Sequence, residues 1–184
     1  MPIPTFLARL SKINLSVLIF LSSIVVSAQL APLSPKATVS VLTCATGNES
    51  YSLFGHTAVR IADPEQFLDI VYNYGAFDFS TPNFVAKFAK GDLQYFVVAD
   101  SFSEFIGRYQ YEGRSVYEQK LRLSLPLKQQ LFDQLNKTLQ SEERFYTYKF
   151  IDRNCTTMVV DLLNQPIGTK AITKKDATEK TYRE

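Results

Sequence analysis

Apolar and polar positions alternate along much of this chain, with a period of two in some stretches and of three to four in others. The period of two, together with β-branched and aromatic residues, predicts six strands, at 37–44, 56–61, 68–75, 93–99, 115–123 and 144–151. Apolar residues spaced by three or four predict four helices, at 82–90, 102–109, 126–139 and 155–164. This order indicates the α+β class, an antiparallel sheet with packed helices.

The composition is that of a globular protein. Of 184 residues, 46% are hydrophobic and 21% are charged, and the net charge is +2. This near-neutral balance gives no indication of nucleic-acid binding. The sequence has no glycine-rich phosphate loop, and one histidine with two separated cysteines is too few ligands for a metal cluster.

The N-terminal residues have the pattern of a secretory signal peptide. Arg9 and Lys12 precede an apolar run at 13–26, and the small residues before Gln29 suit cleavage after Ala28. The run is short for a spanning helix, and an uncleaved anchor is the alternative. We therefore predict four segments, which are a signal peptide (1–28), a tether (29–36), one domain (37–168) and a polar tail or truncated end (169–184).

The last predicted helix begins on a cysteine, Cys155. Asn154 before it is a good N-cap, because its side-chain oxygen can accept a hydrogen bond from an N–H of the first turn. The positive end of the helix dipole favours a thiolate and can lower a thiol pKa from about 8.5 to roughly 3.5–7.5. Cys155 is therefore a candidate nucleophile. The alternative is that it packs in the core, as free cysteines often do.

Cys44 is the second cysteine of a chain that we expect to be exported. Oxidising compartments favour disulfides, so a Cys44–Cys155 bridge is the main alternative to a reactive thiol. A domain of this length does not need a crosslink for stability. The sequence leaves both possibilities open.

His56 is the single histidine of the chain, so any cysteine–histidine chemistry must use it. The alternative is a half-buried histidine with a structural hydrogen bond. Gly55 before it allows the backbone to approach a neighbour or a ligand closely.

The hairpin formed by the second and third strands predicts a group that orients His56. If the turn is centred on residues 64–67, His56 lies opposite Gly75, and Asn73 is its diagonal neighbour on the same face. Asp69 then lies near the turn, far along the strand. We predict that the Asn73 amide accepts the imidazole Nδ1–H. An ordinary strand-edge hydrogen bond of Asn73 is the alternative.

Four motifs occur in order along the chain: SLFGH (52–56), VYNYGAFDF (71–79), YEGRSVYEQ (111–119) and NC (154–155). With these motifs the chain resembles, from about residue 40 to residue 163, the Lnb N-terminal periplasmic domain, which is common in Bacteroidetes. A histidine on an early strand followed by Asn-Cys at a helix start is also similar to circularly permuted papain-like enzymes. These include cell-wall peptidases and relatives of lecithin:retinol acyltransferase.

The resemblance implies a permuted papain-like fold and a lipoprotein N-acyltransferase activity for the domain at 37–168. In it, Cys155 matches the nucleophile and His56 its base. Asn73 is then the predicted orienting group, and Asn154 and Gly55 are candidates for substrate or oxyanion contacts.

The resemblance also implies a phospholipid acyl donor, a lipoprotein amine as acceptor, and contact with a membrane surface. The expected location is the periplasm, at the outer face of the inner membrane. No cofactor is expected, because an ester already carries the activation.

Other functions stay open at this point. Lnb-type proteins usually carry further chain and membrane segments after this domain, so the chain could be a fragment or a relative with another substrate. The main alternative is a cysteine hydrolase, either a peptidoglycan amidase or peptidase or a phospholipase, with the same Cys–His pair. A disulfide-stapled domain without catalysis is the third. A water-excluding apolar cleft beside Cys155 would favour the acyltransferase.

Overall fold

A computed structural model of the chain describes residues 31–167. The predicted signal peptide (1–28) and polar tail (169–184) lie outside the described residues. The fold is α+β, as predicted. Its six strands form one antiparallel sheet with the order β5-β1-β2-β3-β4-β6. The strands are β1 (Thr38–Cys44), β2 (His56–Asp63), β3 (Leu68–Phe77), β4 (Gln94–Ser101), β5 (Val116–Lys120) and β6 (Phe145–Thr147).

Four helices and one short 3₁₀ turn lie between and after these strands. They are α1 (Phe84–Lys90), α2 (Phe102–Tyr111), α3 (Leu125–Gln140), the 3₁₀ turn Glu142–Arg144 and α4 (Cys155–Asn164). Helix α2 begins with a capping box, in which the Ser101 hydroxyl accepts the Glu104 N–H at 3.2 Å. Helix α1 ends at Lys90, as predicted, and is followed by Gly91 in the left-handed conformation.

The sheet buries both of its faces. Along β2, Val59 and Ile61 belong to a core that includes Leu131 of α3 and Leu162 of α4. Ala58, on the opposite face, belongs to a second core with Phe105 of α2. The period-two alternation therefore has apolar residues on both sides. A fully buried leucine or valine of this kind stabilises the fold by about 1.5–3 kcal/mol.

The predicted register of the β2–β3 hairpin is confirmed. Val59 pairs with Tyr72, and the ladder runs down to the turn without a shift. Extending the same register to the start of β2 places His56 opposite Gly75. Alternation and turn position are sufficient to specify this pairing, because a slip of one residue would exchange the side chains of β3 between the two faces of the sheet.

Strand β3 also contains an irregularity on its other side. Its pairing with β4 shifts by one residue between Asn73 and Ala76. Such a bulge bends a strand and re-aims the side chains next to it. The bent part of β3 faces the start of β2.

The strand predicted at 144–151 is much shorter than expected. β6 ends at Thr147, and the chain turns so that Lys149 pairs with Arg153 in an isolated bridge. The Asn154 amide donates to the carbonyls of Phe150 and Ile151. These local side-chain bonds compete with strand pairing and replace it.

The helix predicted from Pro82 begins two residues later, at Phe84. The Asp78 carboxylate accepts the Ser80 N–H and hydroxyl, both at 2.8 Å. This turn fixes the residues before the helix, and Thr81 does not cap it. Asn83 occupies the cap position with a left-handed backbone.

The described part of the predicted tether is not a loose linker. Leu33 and Ser34 are buried. Ser34 donates its N–H and its hydroxyl to the Asp63 carboxylate, each at 2.6 Å. A buried carboxylate with two short hydrogen bonds anchors this segment at the end of β2. Between residues 31 and 167, no helix combines the length and the apolar character needed to cross a membrane.

Candidate active site

Cys155 is the first residue of α4, where its side chain is partly buried. Asn154 caps this helix, because its Oδ1 accepts the N–H groups of Thr156 and Thr157, both at 3.0 Å. In return, the Thr157 hydroxyl accepts the Asn154 N–H at 2.9 Å. This reciprocal capping box holds the first turn and places the thiol at the positive end of the helix dipole.

The Asn154 side chain, a candidate for substrate or oxyanion contacts, forms hydrogen bonds within its own turn and helix. Its oxygen caps α4, and its Nδ2 donates to the carbonyls of Phe150 and Ile151, at 2.9 and 3.4 Å. Both polar atoms are thus committed to the turn that leads into Cys155. The cap leaves the N–H of Cys155 itself as the first-turn donor that Asn154 does not bind.

His56 begins β2, and its imidazole lies close enough to the Cys155 side chain to lower the pKa of the thiol. Burial alone would raise the pKa of Cys155. The hydrogen bond and charge of His56 outweigh burial, and the Thr57 backbone N–H and the Thr156 side chain add to them, so the pKa of Cys155 is lowered from its ordinary value. The thiol therefore gives up its proton more readily than an ordinary cysteine does.

The other side of the imidazole contacts Asn73. The His56 Nε2 lies 2.6 Å from the Asn73 Oδ1, and Asn73 is buried. The predicted residue pair is present, but the predicted nitrogen is wrong, since we expected Nδ1. An amide oxygen can only accept, so Nε2 carries the proton and Nδ1 is left with its lone pair. Nδ1 is therefore the nitrogen that can take a proton from a thiol.

Gly75 leaves the space that the imidazole fills. A Cβ at this position would lie 2.5 Å from His56 Cε1 and 3.2 Å from Nδ1. It would also lie 3.0 Å from the Asn73 Oδ1. No side chain fits there without moving the ring.

Asp69 takes no part in this arrangement. It pairs with Ala62 near the hairpin turn and binds Arg60 through two hydrogen bonds, at 2.7 and 2.8 Å. Its carboxylate is therefore already used, several residue pairs away from His56.

Gly55, the other candidate for substrate or oxyanion contacts, has a structural role in the turn before His56. Its φ is +72°, and a Cβ would lie 2.6 Å from the Cys44 carbonyl oxygen. Its N–H donates to the Ser52 carbonyl at 3.0 Å. Gly55 thus lets the chain turn tightly into His56. It also lines the cavity beside Cys155.

Both cysteines are free thiols. Cys44 is buried at the end of β1, where it pairs in the sheet with His56. Burial raises its pKa to about 11, against the opposing effect of a hydrogen bond with Tyr109. The two thiols are therefore electrostatically different, since the pKa of Cys155 is lowered and that of Cys44 is raised.

Cys155 and His56 line a cavity of about 330 Å³. One side of it, which we call the aromatic wall, consists of five rings: Tyr51, Phe77, Phe79, Tyr95 and Tyr148. Successive ring centroids lie 4.4 to 5.9 Å apart, so the rings form one continuous surface. Burial raises the pKa of Tyr148 to about 12, and the charge of Cys155 adds to this shift. The thiol therefore lies near this wall.

Charged side chains also line the cavity. We call Arg108, Glu112 and Arg114 the charged wall. Arg114 donates to Glu112 at 2.7 Å and lies 4.6 Å above the Tyr109 ring. A cavity with one aromatic and one charged side suits an amphipathic molecule.

The family model of the Lnb N-terminal periplasmic domain matches residues 27–184. The chain belongs to this family. It is accordingly a periplasmic Lnb-type protein. No curated protein and no solved structure matches the chain significantly.

In this Lnb-type domain, two threonines that were not predicted as site residues lie beside the thiol. The Thr57 N–H bonds Cys155, and the Thr57 hydroxyl lies 2.8 Å from that of Thr156. This contact joins β2 to α4 next to the His56–Cys155 pair. In the sequence, the only feature that could have indicated these threonines is that they directly follow His56 and Cys155.

Within the described residues, no three His, Cys, Asp or Glu side chains converge as metal ligands would.

Proposed function

We propose that this Lnb-type domain is a thiol acyltransferase. It would move an acyl chain from a phospholipid, through a thioester on Cys155, to the N-terminal amine of a lipoprotein. The observation that carries this proposal is the line of contacts from Cys155 through His56 to Asn73, beside a cavity with an aromatic wall.

In the first half-reaction, Nδ1 of His56 accepts the Cys155 proton, and the thiolate attacks the ester carbonyl. The Cys155 N–H, at the start of α4, is placed to donate to the oxyanion. The ester C–O bond then breaks. The imidazolium gives its proton to the departing lysophospholipid alkoxide, and a thioester is left on Cys155.

In the second half-reaction, the lipoprotein amine attacks the thioester carbonyl and loses a proton to His56. The C–S bond breaks, an amide forms, and the Cys155 thiolate is regenerated beside the imidazolium. Asn73 accepts the Nε2–H throughout and so keeps Nδ1 directed at the sulfur. No redox or metal step is needed, because the acyl group passes from ester to thioester to amide.

The aromatic wall supports an acyl substrate over a fully polar one. Five rings in contact offer an acyl chain a continuous apolar surface near the thiol, and an acyl chain packed on it would exclude water there. Exclusion of water favours transfer over hydrolysis, since a thioester next to bulk water would be lost.

Contact with a membrane surface is supported by apolar side chains near the cavity. Leu53 and Phe54 lie in the loop directly before Gly55 and are 51% and 65% exposed. Phe79, in the aromatic wall, is 64% exposed. Exposed aromatic and aliphatic side chains of this kind insert into the boundary between headgroups and acyl chains.

The experiment that tests this proposal is intact-mass measurement of the purified chain after incubation with phosphatidylethanolamine vesicles. We expect the mass to increase by one acyl chain, and the adduct to be absent in Cys155→Ser and His56→Ala. A lipopeptide with a free N-terminal amine should then discharge the adduct and become an amide.

Two outcomes would overturn the proposal. If no adduct forms on Cys155, the proposed acyl transfer is wrong. Release of free fatty acid, with no amide formed on the lipopeptide, would instead indicate a cysteine hydrolase with the same residues.

A further inference from the structure

The charged wall holds a nearly buried guanidinium whose donors are not all used. The Arg114 side chain is 8% exposed and lines the cavity that contains Cys155. Its Nε donates to the Ala45 carbonyl at 2.9 Å, and its Nη1 donates to Glu112 at 2.7 Å. These two bonds fix the plane of the guanidinium.

A guanidinium has five N–H donors, and the two bonds account for two of them. Among the described residues, none accepts a hydrogen bond from Nη2 of Arg114. Nη2 is not fully enclosed by the protein, so this charged donor is accessible to a ligand. A ligand in the cavity that offers anionic oxygens would satisfy it.

The charges of the cavity also favour an anion. The charged wall carries two arginines against one glutamate. Arg108 is half exposed, and its ion pair with Asp100 is long, at 3.5 Å. Asp100 does not line the cavity, so the cavity lining itself has more positive than negative side chains. Charges in a space partly enclosed by aromatic rings are less screened than in water.

The two arginines and the thiol face the same space. The pKa of Cys44 is influenced by both Arg114 and Cys155, so the buried Cys44 side chain lies near both. In a glycerophospholipid, the phosphodiester is only a few covalent bonds from the ester carbonyl. Since Arg114 and Cys155 line the same cavity, one donor molecule bound there would present its phosphodiester and its ester to the two residues together.

We propose that Arg114 binds a phosphodiester oxygen of the acyl donor while the ester carbonyl lies at Cys155, with Arg108 as a second and weaker contact. This inference rests on the proposed acyl transfer and names the part of the donor that the charged wall recognises. An arginine fork suits a phosphodiester, because two parallel N–H groups can bind two oxygens.

The test compares an acyl donor that contains a phosphodiester with one that does not. One is a short-chain diacyl phosphatidylethanolamine, and the other is a p-nitrophenyl ester with the same acyl chain. The rate of Cys155 acylation is measured by intact mass for the unchanged chain, Arg114→Gln, Arg114→Lys and Arg108→Gln. The control is Arg122→Gln, which removes an exposed positive charge outside the cavity.

We expect Arg114→Gln to lower the rate about tenfold or more with the phospholipid, as for a lost charge-assisted hydrogen bond, and less than about twofold with the p-nitrophenyl ester. Arg114→Lys should lie between, because it keeps the charge and loses the fork. Equal losses with both donors, or no loss with the phospholipid, would overturn the inference and leave acyl transfer standing. If neither donor acylates the unchanged chain, both proposals fall.

A second measurement does not depend on acyl transfer or on the stability of Arg114→Gln. Glycerophosphoethanolamine, the donor without its acyl chains, should slow iodoacetamide alkylation of Cys155 in the unchanged chain, whereas glycerol should not. Protection should weaken in Arg108→Gln and Arg114→Lys. Equal alkylation with and without glycerophosphoethanolamine would contradict phosphodiester binding beside the thiol.

Discussion

The Nε2 of His56 lies 2.6 Å from the Oδ1 of Asn73, and this contact decides which ring nitrogen is available to Cys155. The amide oxygen needs a donor, so Nε2 keeps its proton and Nδ1 keeps its lone pair. A residue on β3 thereby sets the proton-accepting state of a residue on β2. The thiol on α4 bonds the same ring.

Asn73→Ala should slow acylation of Cys155 strongly, because the imidazole would lose the bond that fixes its tautomer and orientation. General-base assistance is worth about 10²–10⁴-fold, so a visible part of that should be lost. The measurement is the rate of adduct formation by intact mass.

The matched control is Asp69→Asn, which changes the other polar residue of β3 that could have been chosen. Asp69 binds Arg60, far along the strand from His56, so its loss should leave the rate nearly unchanged. The reverse ranking, at equal melting temperature, would contradict the role of Asn73.

Gly75→Ala should reduce acylation without unfolding the chain. The added Cβ would lie 2.5 Å from His56 Cε1, closer than atoms can approach, so the ring must move away from Cys155. A glycine-to-alanine change in a strand is otherwise harmless where the backbone is extended. The measurement is the acylation rate beside the thermal unfolding midpoint.

Gly107→Ala in α2 is the control for this variant. A Cβ there would meet no atom within 4 Å, and alanine is favoured over glycine in a helix by about 1 kcal/mol. It should keep the acylation rate and raise the melting temperature slightly. A Gly75→Ala protein that acylates at the normal rate would show that the ring tolerates displacement.

The contact between His56 and Asn73 could be predicted from sequence because it depends on features that are close together along the chain. Alternation specifies the face of each strand, and a short turn specifies the register. The same reasoning excludes Asp69. Which nitrogen of His56 faces Asn73, Nδ1 or Nε2, depends on the orientation of the imidazole ring. That orientation is set by the space at Gly75 and by the thiol on a helix about a hundred residues later.

Other features of the site depend on parts of the chain that are distant in sequence. The Asn154 side chain is used by the carbonyls of the preceding turn, and no pattern in the sequence distinguishes that use from an oxyanion contact. Arg114 reaches the cavity because the segment between α2 and β5 folds against Ala45 at the end of β1. Its motif was part of the family resemblance, but its position next to the thiol required the tertiary structure.

Phe54→Ser should lower acylation from phospholipid vesicles and leave acylation from a soluble, monomeric ester unchanged. Phe54 is exposed in the loop before His56, and a serine would remove apolar area that can enter the bilayer. The measurement is the ratio of the two rates, together with cosedimentation with vesicles.

Phe67→Ser provides the matched control. Phe67 is 98% exposed, but it lies in the turn at the opposite end of the β2–β3 hairpin. It should leave both rates unchanged. An equal effect of the two serine variants would indicate general surface hydrophobicity in place of a membrane-facing loop.

Asn154→Ala should destabilise the chain and also disturb Cys155. It removes the cap of α4 and the two bonds to the preceding turn, and the loss of a cap costs about 1–2 kcal/mol. Chemical denaturation measures the free energy of unfolding, and iodoacetamide alkylation reports on the thiol.

Ser101→Ala removes the corresponding cap of α2, which lies away from the thiol. It should lower stability by a similar amount and leave alkylation of Cys155 unchanged. If both variants alter alkylation equally, the effect of Asn154 comes from global stability and not from placing Cys155.

The pH dependence of Cys155 alkylation should report its lowered pKa. Iodoacetamide reacts with the thiolate, so the rate should rise to half its maximum at a pH below the ordinary thiol pKa. In His56→Ala, the hydrogen bond and charge that lower this pKa are lost, and burial, which raises it, remains. The midpoint should therefore move to higher pH.

Cys44, whose pKa is about 11, serves as the internal reference and should react only in more alkaline solution. Peptide mass spectrometry separates the two sites, and an unchanged midpoint in His56→Ala would show that the imidazole does not stabilise the thiolate.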